Sequence, residues 1–360
     1  QALPVAHAQA IVRRWARPIA TAERVALRAS LNRVLAEDVI SSIDVPSHDN
    51  AAMDGYAFDG AILVDPARGT AQLELEVIGQ ALAGHAFTGR IAPNQCVRIM
   101  TGAPIPAGCD TVIAQEHTAR TGERIAFDAR QIARGANCRY AGEDLARGRA
   151  ALTAGRIVRA ADVGLLASLG VAEVSVYRRL RVAFFSTGDE LRSVGQPLDA
   201  GCVYDSNRYT LGAMLARLNV EALDLGIVRD EPAALETAFR SAAQSADVVL
   251  SSGGVSVGDA DFTRRMFETL GDVGFWQLAM RPGRPLAFGR LWPTCRDDNV
   301  RPALFFGLPG NPVAVMVTFY QFVREALLAM SGAKVDAPLQ FRATSSAPIK
   351  KRPGRTEYQR

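Results

Sequence analysis

Apolar positions change their spacing several times along the chain. Val5, Ile11, Val12 and Trp15 share one side of a 3.6-residue repeat and predict a helix over 5–17. Val25, Leu27, Leu31, Val34 and Leu35 extend helical spacing over 23–40, until Asp44-Val45-Pro46 breaks it. From about 46 to 145 the pattern turns into short apolar runs parted by Gly, Pro and Asn: Leu73–Ile78, Cys96–Met100, Thr111–Ala114 and Arg124–Phe127. That texture predicts a β-rich module with many turns. Residues 160–170 return to helical spacing, and Val171–Tyr177 alternates like a strand.

Beyond residue 180, apolar strands alternate with helical segments. Strands are predicted at Arg181–Phe185, Leu223–Val228, Asp247–Leu250, Phe275–Met280, Leu286–Gly289 and Ala303–Phe306. Ser206 is placed to cap a helix reaching about Leu218, Glu231-Pro232 opens another, 261–270 a third, and Pro312 a long apolar one to about Met330. This alternation predicts an α/β multidomain chain containing a doubly wound parallel sheet. The expected division is 1–45 with 146–178, an inserted β-rich domain at 46–145, a βα domain at 179–332, and a last segment at 333–360 that looks like the cut-off start of a further domain.

Composition narrows the function classes. Of 360 residues, 48% are hydrophobic and 22% charged, which excludes a mostly disordered chain. No apolar run nears the roughly 18 residues of a spanning helix, and no secretory leader is visible, so a cytoplasmic protein without a membrane partner is expected. The net charge of +4 is too weak and dispersed to suggest nucleic acid. Of the 41 basic residues 38 are arginine, the lysines being Lys334, Lys350 and Lys351. Codon bias explains most of that excess, yet a guanidinium is also a planar fork of donors for oxyanions. The five cysteines (96, 109, 138, 202, 295) form no C-x-x-C, and the four histidines are scattered, so neither a disulfide framework nor a transition-metal site is expected.

Four strings in the βα region carry candidate chemistry. Ser251-Ser252-Gly253-Gly254-Val255-Ser256-Val257-Gly258-Asp259-Ala260-Asp261 follows a buried strand and precedes a helix. Its glycines let backbone N–H groups approach an oxyanion, and its hydroxyls add donors. Ser186-Thr187-Gly188-Asp189-Glu190 ends the first strand, with Asp205 and Asn207 at the next helix start. Glu190, Asp230 and Asp261 are expected along one sheet edge, where clustered acids suit Mg²⁺ set against an anionic substrate. Arg281-Pro282-Gly283-Arg284 presents two guanidinium groups on a rigid turn, and Pro309-Gly310-Asn311 leaves an Asn side chain free for a polar ring edge. The β-rich region adds Asn50–Ala57, with Asp54, and Thr101–Pro106.

Taken together, Ala52–Ala57, Arg98–Pro106, Gly142–Asp144, Ser186–Leu191, Asp205–Asn207, Ser251–Asp261, Arg281–Pro285 and Gly307–Pro312 resemble the molybdopterin molybdenumtransferase family, which includes MoeA and the gephyrin E domain. The resemblance runs from about residue 5 to 360, with 350–358 similar to the start of the family's C-terminal β domain. It implies an elongated N-terminal domain, a MogA-like βα domain and an elongated homodimer whose active cleft joins the βα domain of one subunit to the β-rich domain of the other. It implies molybdate and adenylylated molybdopterin as substrates, Mg²⁺ as helper, and AMP and molybdenum cofactor as products. Contact with a molybdopterin adenylyltransferase and with recipient molybdoenzymes is a further expectation. By residue match the functional set is Asp54, Thr101, Glu190, Asp230 and Asp261. Ser186, Thr187, Gly188, Asp205, Asn207, Ser251, Gly253, Gly254, Ser256, Gly258, Arg281, Arg284, Pro309, Gly310 and Asn311 are the expected substrate contacts, and the three rim acids the Mg²⁺ ligands. Arg281 and Arg284 stand where the family usually has lysine, no lysine lies near Gln277, and Ala51 replaces a common serine. A MogA-type adenylyltransferase and a gephyrin-like scaffold are the alternative readings.

Overall fold

A computed structural model describes residues 2–64, 72–253, 270–297, 299–334, 338–351 and 353–359. The chain divides into two compact units, 1–37 with 153–360, and 38–152.

The larger unit is built on a six-stranded sheet. Across the sheet the strands run Glu221–Val228, Arg181–Thr187, Val248–Ser252, Ala303–Leu308, Pro285–Leu291 and Gly271–Gln277. The first four are parallel, and the last two alternate antiparallel, so the sheet is mixed where the sequence pattern predicts a parallel one. Val248–Ser252 and Ala303–Leu308 are buried along their whole length, which is why they read as unbroken apolar runs.

Successive side chains go to opposite faces. Val182, Phe184, Val248, Leu250, Leu304 and Phe306 join one core with the helices Val5–Trp15, Ser206–Ala216 and Pro312–Met330. Ala183, Phe185, Val249 and Phe305 join another with the helix Pro232–Ser245. Helices cover both faces, as a doubly wound sheet requires. Pro312–Met330 is long and apolar enough by composition to cross a membrane, but Val315, Phe319, Phe322, Val323 and Leu327 are spent in the first core.

The region 23–40 is not a helix. Ala22–Ala26 is a strand paired antiparallel with Glu173–Tyr177, and Leu27–Ala29 is a single tight turn. Asn32 then adopts φ 61°, which ends any helical path. Of the five apolar positions, Val34 and Leu35 are buried while Leu31 is 47% exposed, so the spacing marks no continuous apolar face. The predicted helix at 160–170 forms as Ala160–Ser168, whereas the one at 261–270 lies outside the described residues except for Leu270.

The smaller unit carries a second six-stranded sheet: Thr111–Ala114, Gly55–Phe58, Gln95–Ile99, Gln72–Ala81, Arg124–Asp128 and Ala119–Thr121. Only the Gln72–Ala81 and Gln95–Ile99 pair is parallel among its described pairings. Tyr56, Phe58, Leu75 and Phe127 fill one face, and Ala57, Val97, Ile99 and Val112 the other. Gly55 is obligatory at its position, because a Cβ there would stand 1.9 Å from the Ile113 carbonyl oxygen.

Candidate functional site

In the larger unit the chain leaves Arg181–Thr187 toward Glu221–Val228, then crosses back to Val248–Ser252 on the other side. The carboxyl ends of Arg181–Thr187 and Val248–Ser252 therefore flank a topological switch point, the place where open α/β sheets bind ligands. Register pairs Ser186 with Ser252, and Ser252 with Leu308. The hydroxyl strings predicted from sequence thus meet at one rim.

The side chains there form a hydrogen-bonded web. Asp205 is buried and serves two elements through one oxygen. Its Oδ1 accepts from Ser186 Oγ at 3.0 Å and from the Arg208 backbone N–H at 3.1 Å, capping the helix Ser206–Ala216. Asn207 Nδ2 donates to Ser252 Oγ and to the Gly310 carbonyl, both at 2.8 Å. The Gly253 N–H donates to the Leu308 carbonyl at 3.2 Å. Gly253 has φ 88°, and a Cβ on it would meet the Thr187 carbonyl oxygen at 2.4 Å, so this first loop glycine is needed for backbone close approach.

Three buried atoms in the web make no hydrogen bond among the described residues: Thr187 Oγ1, Asp205 Oδ2 and Asn207 Oδ1. A hydroxyl, a carboxylate oxygen and an amide oxygen left unpaired cost free energy unless a ligand satisfies them. All three can accept, and the Thr187 hydroxyl can also donate, so they suit N–H or O–H donors of a ligand or an oxygen-seeking cation.

Glu190 and Asp230 follow the ends of neighbouring strands, whose register pairs Thr187 with Val228. The Glu190 carboxylate folds back over Gly188, since a Cβ on Gly188 would come within 2.6 Å of Glu190 Oε2. Among the described residues no three His, Cys, Asp or Glu side chains gather into a metal cluster. Asp261, the third acid of the expected set, lies outside the described residues, as do Gly254, Ser256 and Gly258. Two exposed carboxylates at this rim suit the chemistry of Mg²⁺, which takes one or two protein carboxylates and completes its shell with water and phosphate oxygens.

The arginine loop reaches the same rim. Pro285–Leu291 runs antiparallel to Ala303–Leu308, with Ala287 opposite Gly307, so Arg281 and Arg284 stand beyond the end that Pro309 occupies. Gly283 is buried at φ 99° against Thr318, pinning the turn to the helix Pro312–Met330 and leaving both guanidinium groups exposed. The strand Thr356–Glu357 pairs with Met280–Arg281. Glu357 is held below the ordinary carboxylate range, first by the hydrogen bond from Arg355 and further by the charge of Arg281.

The reading of Asn311 needs correction. The Asn311 side chain is not free: its Oδ1 accepts from the Val313 and Ala314 N–H groups at 2.9 and 3.3 Å as the cap of the next helix, leaving only its NH₂ for a ligand. Ser251 is buried on the strand face that carries Val249 and Phe305, whereas Ser252, absent from the expected contact set, bonds to Asn207. Strand alternation from Leu250 is the signal that distinguishes the two serines.

In the smaller unit, Asp54 and Thr101 come together. The Thr101 N–H and hydroxyl both donate to Asp54 Oδ1, at 2.7 and 2.6 Å. These bonds, the hydroxyl's foremost, hold the Asp54 pKa below its ordinary value. The loop is fixed by Gly102 N–H to the Ala51 carbonyl and Gln115 N–H to the Asp54 carbonyl.

Comparison with known proteins adds a second line of support. The family model described as the MoeA N-terminal region (domain I and II) matches residues 3–170, and the one described as a probable molybdopterin binding domain matches 183–329. The molybdopterin molybdenumtransferase of Haemophilus influenzae is 43% identical over 339 residues, covering 94% of this chain and 80% of that protein. The protein of that name from Nostoc is 40% identical over 312 residues, covering 86% and 70%. The solved structure of a molybdopterin biosynthesis MoeA protein from Pyrococcus horikoshii OT3 superposes with a TM-score of 0.77 at 28% identity, covering 93% of this chain and 80% of that one.

Proposed function

We propose a site chemistry that proceeds from one premise: the chain belongs to the molybdopterin molybdenumtransferase family, and it is an enzyme of molybdenum cofactor biosynthesis. On this reading it takes adenylylated molybdopterin and molybdate, and releases AMP and molybdenum cofactor. The observation that carries the assignment of the site is the set of three buried acceptors at the switch point, Thr187 Oγ1, Asp205 Oδ2 and Asn207 Oδ1. A pterin ring edge carries amino and ring N–H donors, which complement these oxygens.

The phosphoanhydride of such a substrate carries several negative charges, so positioning and charge neutralisation are the expected catalytic devices. The glycine-bearing string after Ser252 is expected from its sequence to offer backbone N–H groups to the phosphates, and Arg281 and Arg284 would supply guanidinium donors for phosphate or molybdate. Glu190 and Asp230, with Asp261, would hold Mg²⁺. When bound, Mg²⁺ would supply charge neutralisation to the anionic substrate. Asp54, kept ionised by Thr101, is the anionic group the β-rich unit contributes to the reading. A homodimer and a cytoplasmic setting belong to the same proposal; all five cysteines are free thiols, which agrees with a reducing compartment.

Reconstitution tests the proposal. The purified protein, given adenylylated molybdopterin, molybdate and Mg²⁺, should yield a product that activates a molybdenum-dependent apoenzyme. Activation no greater than with molybdate and the adenylylated substrate alone would overturn it. ATP consumption with molybdopterin in the absence of molybdate would favour the adenylyltransferase instead.

A further inference from the structure

At the opposite end of the same sheet, next to Leu180 and Val220 where the first two parallel strands begin, lies a cavity of about 280 Å³. A seven-residue strand separates it from the rim, roughly 20 Å at the usual rise. Arg33, Arg159, Arg178, Arg179, Arg217 and Arg324 line it, and among the described residues no Asp or Glu does. Arg33 is neutralised by Glu23, and Arg178 by two bonds to Asp247 at 2.7 and 2.8 Å. Arg159, Arg179, Arg217 and Arg324 make no ion pair among the described residues.

Two further observations fix the chemistry of an occupant. Asn219, at φ 56° after the helix Ser206–Ala216, lines the cavity, and its buried Nδ2 has no hydrogen-bond partner among the described residues. It is a donor, like the guanidinium groups around it. The floor is apolar, with Met214, Leu218, Phe319 and Leu328, and Tyr177 and Tyr320 border it. A neighbouring groove shares Arg159 and Arg324 and adds Lys334, another cation. Donors around an apolar floor call for an acceptor-rich anion joined to a small organic body.

We propose that this cavity is a second binding site, separate from the rim, for a compact organic phosphate monoester. Its dianion meets Arg159, Arg217, Arg324 and Asn219, and its organic part lies on Met214 and Phe319. Two helices join the cavity to the rim. Ser206–Ala216 is capped by Asp205 and supplies Met214, and Pro312–Met330 is capped by Asn311 and supplies Phe319 and Arg324. A ligand there contacts two helices whose starts hold rim residues.

Calorimetric titration of the whole protein with ribose 5-phosphate, inorganic phosphate and ribose tests this. Ribose 5-phosphate should bind, with inorganic phosphate weaker and ribose silent. Arg217→Gln and Arg324→Gln should each weaken ribose 5-phosphate about tenfold or more, since each removes a charged hydrogen bond. Asn207→Ala at the rim should leave its affinity within about twofold. Arg217 is exposed, so its variant should keep the wild-type melting temperature. Absent binding, binding of ribose as strong as its phosphate, or affinity insensitive to both arginine variants but lost in Asn207→Ala would each overturn the proposal.

Discussion

On the proposed function, the two carboxylate oxygens of Asp205 divide a structural role from a ligand-binding one. Its Oδ1 caps the helix Ser206–Ala216 and accepts from the buried Ser186 hydroxyl, while its Oδ2 is buried without a partner among the described residues. Asp205→Ala removes the cap, worth about 0.5–2 kcal/mol. It also orphans the Ser186 hydroxyl, at about 1–3 kcal/mol. A combined loss of about 1.5–5 kcal/mol should lower the melting temperature of the larger unit by roughly 3–20 °C, given the usual 2–4 °C per kcal/mol for units of that size. Asp205→Asn keeps Oδ1 for both bonds and replaces Oδ2 with an NH₂ donor. Its stability should change by less than about 1 kcal/mol, because burying a neutral amide costs less than burying a charge. Its activity should fall by at least about tenfold, since the unpaired acceptor offered to substrate is now a donor. Scanning calorimetry on both variants, with AMP release at saturating molybdate, reads the two effects apart. An Asp205→Asn protein as active as wild type would refute the ligand role of Oδ2. An Asp205→Asn protein as unstable as Asp205→Ala would refute the division of labour between the two oxygens.

Gly253→Ala should lose both stability and AMP release, because a left-handed φ costs a Cβ-bearing residue about 1–2 kcal/mol and the added Cβ meets the Thr187 carbonyl at 2.4 Å; a soluble, active variant with wild-type melting would contradict this. Thr101→Val removes the foremost cause of the depressed Asp54 pKa, so the acid limb of the activity profile should move to higher pH. The sign follows from linkage: Asp54 ionised in the folded state stabilises above its unfolded value and loses that contribution as pH falls through its lower folded value. An unmoved acid limb would separate Asp54 from activity. Burial pushes the Cys96 and Cys109 thiols up to about 12 and Cys138 up to about 11, whereas Cys295 is exposed. Iodoacetamide at pH 8 should therefore modify Cys295 well before those three in peptide mass spectra, and early labelling of Cys96 would contradict the burial.

The doubly wound sheet was legible because its central strands are apolar throughout and two of its helices open on a proline, Pro232 and Pro312; the cap of the helix Ser206–Ala216, by contrast, is Asp205 and not the expected Ser206. The segment 23–40 misled because Val34 and Leu35 are buried by pairing across to Ile157 and Val176, contacts that no local spacing records. The antiparallel edge was hidden for the same reason: Pro285–Leu291 reads as apolar whichever way its neighbour runs. At the site, the motif strings pointed to the rim, but hydrogen-bond commitments did not show in them. The amide oxygen of Asn311 is committed to two helix N–H groups, and Ser252 differs from Ser251 through strand alternation, which no motif string records. The arginine-lined cavity was illegible because its six arginines come from segments far apart in the chain, and overall arginine abundance masks them.

On the proposed function, this rim holds an adenylylated substrate while its phosphoanhydride is cleaved. The most direct measurement is AMP released per molybdenum transferred, followed in a single turnover with adenylylated molybdopterin, molybdate and Mg²⁺. One AMP should leave for each molybdenum transferred, with release slowed at least about tenfold in Asp205→Asn. AMP release that proceeds at full rate in that variant, or none at all from the wild-type protein, would contradict it.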